Sequence, residues 1–205
     1  AAILNADVQV QAFQSAKVDF ILIGHAAPGG IALLKSMAKY GMQKTPVSGH
    51  FGVANENVFL QAPYEMSKNF AAINCVTPPG LAKTAKGKLA TAMGTKYGYP
   101  ASEISQANWS LGWTEGSVIV QGLKNAKGNY TGASVRAGLE KVKSLDVGGL
   151  APDVGFSAKC HMLIRQLRPY TYNYQTKSLQ PIGTYAQWAK YNTNYYAAPG
   201  TCGKK

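Results

Sequence analysis

Acidic residues are scarce: 9 Asp and Glu stand against 21 Lys and Arg in 205 residues, for a net charge of +12. With so few carboxylates, no carboxylate pair stands out for general acid–base work. Cysteine is also scarce. Cys75, Cys160 and Cys202 are odd in number and none belongs to a CxxC pair, so no zinc or dithiol redox motif is indicated. One disulfide plus one thiol, with Cys160–Cys202 tying the tail back, and three buried thiols are both open. No apolar run approaches the roughly 18 residues of a membrane-crossing helix. The start at Ala1 has neither a basic n-region nor an apolar h-region, which reads as a removed signal or an internal start.

Other signatures are missing too. The lysines are spread singly, with no Lys/Arg-rich run, no zinc knuckle and no aromatic-basic motif of an RNA-binding sheet. The charge therefore points away from nucleic acid and towards a basic surface facing an anionic envelope, or an anionic ligand. There is no GxSxG, and Gly29-Gly30 lacks the remaining spacing of GxGxxG. Ser48 and His50 share one strand face without a nucleophile elbow, and Asp19 reads as a turn or cap residue. Nothing here reads as an enzyme.

What is present is globular: 46% hydrophobic and 15% charged residues, enough for one large or two small domains. The most informative stretch is 17–53, KVDFILIGHAAPGGIALLKSMAKYGMQKTPVSGHFGV. The apolar run from Phe20 to Gly24 predicts a strand over 18–24, buried on both faces of a parallel sheet. Pro28 opens a helix, where its missing N–H costs nothing. Ile31, Leu34, Met37 and Ala38 recur at helical spacing, and Gly41 supplies the left-handed stop. Val47 to Phe51 form the next strand. Such βαβ units bind ligands at the carboxyl ends of their strands. Here those ends are His25-Ala26-Ala27 and His50-Phe51-Gly52.

Around this unit, residues 6–16 read as a helix with Val8, Ala12, Phe13 and Ala16 on one face. Asn55 caps a short helix to about Gln61, and 69–76 is a strand. Thr77-Pro78-Pro79-Gly80 then breaks the chain and is the best candidate for a crossing between lobes. Helices follow over 83–97, over 102–124 with Ser102 as its cap, and over 132–145 with Thr131 as its cap. Gly112, Gly116 and Gly122 weaken the second of these by about 1 kcal/mol each relative to Ala, so close packing is expected there. Two β segments lie near 160–174 and 180–187. The tail from Asn192 carries no period, and there is no internal repeat. Tyr170, Tyr172 and Tyr174 fall on one strand face. They form either a carbohydrate- or flat-surface-binding stripe or, the reading favoured here, an amphipathic face half covered by the tail.

VDFILIG with its small-residue turn, the helix ending at Gly41, and PVSGHFGVAN resemble the second lobe of type I periplasmic binding proteins. The nearest group is the branched-chain amino-acid-binding family that serves ABC transporters. TGASVRAGLEKVKSLDVGGLAP (131–152), FSAKCHMLIRQLRPYTYN (156–173) and SLQPIGTYAQW (178–188) resemble that family's late helix, following strand and closing hairpin. The resemblance implies an α/β fold with parallel-sheet lobes and flanking helices in three αβα layers, of which only part is present. It divides the chain into second-lobe βα units (1–76), helices and a strand returning to the first lobe (77–152), a closing hairpin and hinge (153–191) and an irregular tail (192–205). Family members are nearly twice this length, so the chain reads as a carboxyl-terminal half and its amino-terminal half as a missing partner. The resemblance further implies an extracytoplasmic receptor, periplasmic or extracellular and associated with the outer side of a membrane, with a small-molecule ligand in an interlobe cleft and an ABC permease as partner. It implies no cofactor. A ligand-sensing regulatory domain of the same fold and a structural protein without ligand are the alternative readings.

The expected ligand-binding residues are His25, Ala26, Ala27, His50 and Phe51. In the amino-acid-binding relatives the first turn carries an aromatic residue that covers the ligand, and the second a Glu that pairs with its ammonium. Here Ala26 or Ala27, and Phe51, stand in those places. The ligand is then an amino acid held differently or, better, an apolar or aromatic compound with a carboxylate. Phe51 suits stacking or a cation held over its face. His25 and His50 could donate to a carboxylate, bind a metal, or be strand-end residues capped by backbone. No Asp or Glu lies beside either to complete a metal site. His161 reads as structural or hinge-related.

Overall fold

The strand that opens the βαβ unit lies at the edge of its sheet. In the computed structural model, which describes residues 5–189 apart from 129, 153 and 165, five strands run in the order β1 (Ile21–Ile23), β2 (Val47–Gly49), β3 (Ala71–Asn74), β4 (Arg168–Asn173), β5 (Ser178–Pro181). The first three are parallel and the last two join antiparallel. Between them run α2 (Ala27–Lys39), α3 (Glu56–Gln61) and α4 (Tyr64–Ser67), with α1 (Asp7–Ser15) ahead of β1. Chain packing divides the molecule into two compact units. Unit 1 holds 1–74 and 168–182, and unit 2 holds 75–167 and 183–205.

In unit 1, Ile21, Ile23, Val47 and Ala72 are buried together with Leu34 and Met37 of α2, Val58 and Phe59 of α3 and Met66 of α4. Phe59 packs on Phe70 and stacks on Tyr172, centroids 5.5 Å apart. Tyr170 and Tyr172 are buried, so this part of the tyrosine face belongs to the core and is no open binding stripe. The Arg168 guanidinium lies over the Tyr170 ring at 4.9 Å.

Several local expectations hold because their chemistry is local. Gly41 takes φ 75° after α2, and the Asn55 side chain accepts from Val58 N–H at the start of α3. Others fail for nonlocal reasons. The strands are shorter than expected, and β1 is not buried on both faces: Leu22 is 66% and Phe20 55% exposed. The cause is position, since among the described residues β1 has a neighbour on one side only. On α1 the buried residue is Val10, and Val8 is 73% exposed. Asp7 sets that rotation by accepting from Ser36 and ion-pairing with Lys39 of α2.

Unit 2 opens with a 3₁₀ turn at Pro79–Leu81 and continues through α5 (Ala85–Lys96), α6 (Ala101–Ile104), α7 (Ala107–Asn125) and α8 (Gly132–Leu139), with α9 (Tyr185–Ala189) after the sheet's last strand. The single helix expected over 102–124 is two. Gln106 is extended (φ −77°, ψ 151°) and restarts the helix, and Pro100 rather than Ser102 precedes α6. Thr131 caps α8 as expected, but that helix stops at Leu139. Gly122 packs on Leu139 of α8, whereas Gly112 and Gly116 face open space. His161 pairs with Glu140 at 3.0 Å and sits beside Phe156, a structural role. Burial pushes the Cys75 thiol up. Cys160 is in a disulfide, and the expected pairing with Cys202 lies outside the described residues.

Candidate functional site

Two turns at the carboxyl ends of β1 and β2 form the candidate site, and hydrogen bonds bring them together. His50 N–H donates to Ile23 O at 3.3 Å. A Cβ on Gly52 would lie 3.3 Å from His25 O and 2.7 Å from the His50 ring. Glycine is thus what lets the second turn abut the first. Gly29, in the first turn of α2, leaves room for the His25 ring, which occupies the space its Cβ would need. Sequence reading singled out neither glycine for this role; the signal was a glycine within four residues of each histidine.

The structure brings together all five expected residues. His25 and Ala26 are exposed, Ala27 and His50 half-buried, and Phe51 is 54% exposed. Ala26 is the N-cap of α2 and Ala27 its first residue. Phe51 meets the His50 ring edge-on, centroids 5.1 Å apart. The two histidines differ in tautomer. Gly52 N–H donates to His50 Nδ1 at 2.9 Å, so the neutral ring carries its proton on Nε2 and donates there. His25 Nδ1 lies 3.2 Å from Ala26 O. A carbonyl only accepts, so neutral His25 holds its proton on Nδ1 and offers Nε2 as an acceptor.

Electrostatics at these turns favour an anion. The first N–H groups of α2 have no intrahelical partner, and they carry the positive end of a 13-residue helix with no acid in its first turn. The acid nearest the second turn, Glu56, is buried at the start of α3 with the Tyr172 phenol as an electrostatic neighbour, and the acid nearest the first, Asp19, is exposed ahead of β1. Asn74, at the end of β3, is buried and donates to Ala54 O at 2.9 Å. It braces the loop after β2 and was not foreseen. Among the described residues, no group of three or more His, Cys, Asp or Glu could hold a metal ion. A groove of about 340 Å³ runs from Gly24, His25 and Gly29 back along β1 beneath α1. Unit 2 has its own concavity of about 320 Å³, lined by Met93, Tyr97, Tyr99, Trp109 and Trp113. Among the described residues, no helix is long and apolar enough to cross a membrane.

No curated protein matches the chain by sequence. Solved structures do match by fold. A branched-chain amino acid ABC transporter protein from Thermus thermophilus with bound valine superposes with TM-score 0.73 at 16% identity, covering 86% of this chain and 48% of that one. A fatty acid ABC transporter substrate-binding protein from Thermomonospora curvata gives TM-score 0.72 at 19% identity, covering 96% and 50%. The leucine-binding protein LivK from Thermotoga maritima gives 0.67 at 13% identity, covering 86% and 47%. The chain thus spans about half the length of these structures. The periplasmic binding protein model matches residues 4–177, which takes in the whole βαβ unit and both strand-end turns, and the chain belongs to that family.

Proposed function

We propose that this chain is the carboxyl-terminal part of the extracytoplasmic solute receptor of an ABC importer, and that the turns after β1 and β2 hold a small apolar or aromatic carboxylate. The family is one of solute-binding proteins and implies an extracytoplasmic location. The observation that supports the ligand class is the acid-free start of α2 beside a half-buried His50 whose Nε2 is left to donate. A carboxylate receives the Ala27 N–H and His50 Nε2–H, and Phe51 covers the apolar body. A ligand ammonium has no carboxylate at either turn, and burying it unpaired is costly. In the intact protein an amino-terminal lobe faces these turns, ligand binding stabilises the closed form, and the closed form docks on the permease.

Isothermal titration of the protein with its amino-terminal portion, against a panel of amino acids and aromatic acids, tests the reading. The expected result is binding of at least one carboxylate, weakened roughly 2- to 10-fold by Phe51→Ala, the range of a lost stacking contact. Silence across the panel sinks the receptor and favours a structural role. Binding without a permease gene in the neighbourhood favours a sensor. An intact mass near 21.8 kDa for the natively isolated protein counts against the amino-terminal portion.

A further inference from the structure

We infer that the His25 imidazole is the specificity-determining acceptor of the strand-end site, and that it selects a hydroxy acid over the same acid without the hydroxyl. This selection rests on the carboxylate-binding reading proposed above and narrows its ligand class.

Donors dominate the two turns. Ala27 and Gly29 lie in the first turn of α2, where backbone N–H groups have no intrahelical partner. Gly30 N–H, next in line, finds one in Ala26 O at 3.1 Å. Pro28 has no N–H to offer. His50 adds its Nε2–H, because Gly52 N–H occupies its Nδ1. A carboxylate only accepts, so it suits all of these groups. His25 is of the opposite kind. Its ring proton is held on Nδ1 against Ala26 O, 3.2 Å away, which makes Nε2 an acceptor.

The ring's seat gives that acceptor its direction. A Cβ on Gly29 would run into Nδ1, Cγ and Cε1 of His25, with Cε1 at 2.7 Å. The Nδ1 edge of the ring is thus laid on the first turn of α2, and the Nε2 edge is turned away from the helix. His25 is exposed, so Nε2 is open to a ligand. The second turn is at hand: His25 O and His50 Nδ1 each lie 3.3 Å from the point a Gly52 Cβ would occupy. One small molecule can therefore span both turns.

A neutral acceptor decides between substituents beside the carboxylate. A hydroxyl donates to the imidazole nitrogen and brings no charge. An ammonium meets an uncharged ring, with no Asp or Glu in residues 25–27 or 50–52, and its charge stays unbalanced. A bare C–H leaves the nitrogen without a donor, the situation in which a polar site rejects an analogue.

Isothermal titration of the protein, its amino-terminal portion included, tests this with two series. 3-Phenylpropionate, 3-phenyllactate and phenylalanine carry H, OH and NH₃⁺ on the same carbon; 4-methylpentanoate, 2-hydroxy-4-methylpentanoate and leucine do so on an aliphatic skeleton. In whichever series binds, the better enantiomer of the hydroxy acid binds roughly 2- to 10-fold tighter than the unsubstituted acid, the range of one net hydrogen bond. His25→Phe, which keeps a ring and removes the acceptor, brings that ratio to about one, and His25→Gln, which keeps an acceptor, restores part of it. The ratio rather than the absolute affinity is read, so a general loss of binding does not imitate the effect. A ratio of one or less in the parent, or a preference that survives His25→Phe, overturns the inference while the binding itself leaves the receptor standing. No binding in either series overturns both.

Discussion

Gly138→Ala and Gly116→Ala make the same chemical change on neighbouring helices and have opposite outcomes. Alanine favours a helix interior over glycine by about 1 kcal/mol. At Gly116, in the middle of α7, nothing lies within 4 Å of an added Cβ, so that gain is realised and the variant is more stable by about 1 kcal/mol. At Gly138 the added Cβ is driven onto the Gly122 carbonyl, with Gly122 C at 3.2 Å and Ala126 N at 3.1 Å. These are backbone atoms of α7 and its C-cap and cannot rotate aside. α8 must move off α7, straining the Asn125 Nδ2 to Gly138 O hydrogen bond of 3.0 Å. Overpacking costs about 1–3 kcal/mol, and an unyielding backbone puts this site at the upper end. Less a propensity gain reduced near the helix end, the net loss is about 2 kcal/mol. The two variants then differ by about 3 kcal/mol, roughly a hundredfold in unfolding equilibrium. Urea titration followed by tryptophan fluorescence reads this cleanly, because Trp109, Trp113 and Trp188 all lie in unit 2. A Gly138→Ala variant as stable as the parent, or a destabilised Gly116→Ala, refutes the reasoning.

Three further outcomes are expected. Among the described residues Tyr172 Oη is buried without a hydrogen-bond partner, so Tyr172→Phe leaves stability unchanged or raises it by up to ~1 kcal/mol, whereas Phe59→Ala costs about 3–5 kcal/mol; a chemical-denaturation series on the whole chain distinguishes them. With Cys160 in a disulfide and the Cys75 thiol pushed up by burial, the native chain reacts slowly with a thiol reagent at neutral pH, one thiol per chain appears in denaturant, and three appear after reduction. The Lys39 hydrogen bond, then that of Ser36, holds the Asp7 carboxyl below its ordinary value, and the Arg136 hydrogen bond, then that of His161, does so for Glu140. A lowered carboxylate pKa stabilises above its unfolded value and loses that contribution as pH falls through the folded value. Stability therefore declines in the acid range below about pH 4, and Asp7→Asn flattens that decline in thermal melts taken across it.

Much of the fold was legible because its signals are local. Gly41 ends α2, while Asn55 and Thr131 cap their helices through side-chain oxygens three residues from the N–H they accept. Burial was less legible because it depends on neighbours far along the chain. An apolar Phe20-Ile21-Leu22-Ile23 run looks alike in a central and an edge strand, and only strand order tells that Leu22 is bare. Val10 rather than Val8 faces inward because Asp7 is tied to α2, a contact 32 residues away. At the candidate site the residues could be named from the βαβ pattern. Their chemistry could not, because the His50 tautomer follows from one backbone N–H at Gly52 and the approach of the two turns from missing Cβ atoms.

The central claim is that the strand-end turns accept a carboxylate and have nothing to pair with an ammonium. Titrating the protein, its amino-terminal portion included, with 3-phenylpropionate and with phenylalanine, which share one carbon skeleton and differ by the ammonium, tests it most directly. The account predicts that 3-phenylpropionate binds at least ~10-fold tighter, a modest share of the cost of burying an unpaired ammonium. Tighter binding of phenylalanine would contradict it.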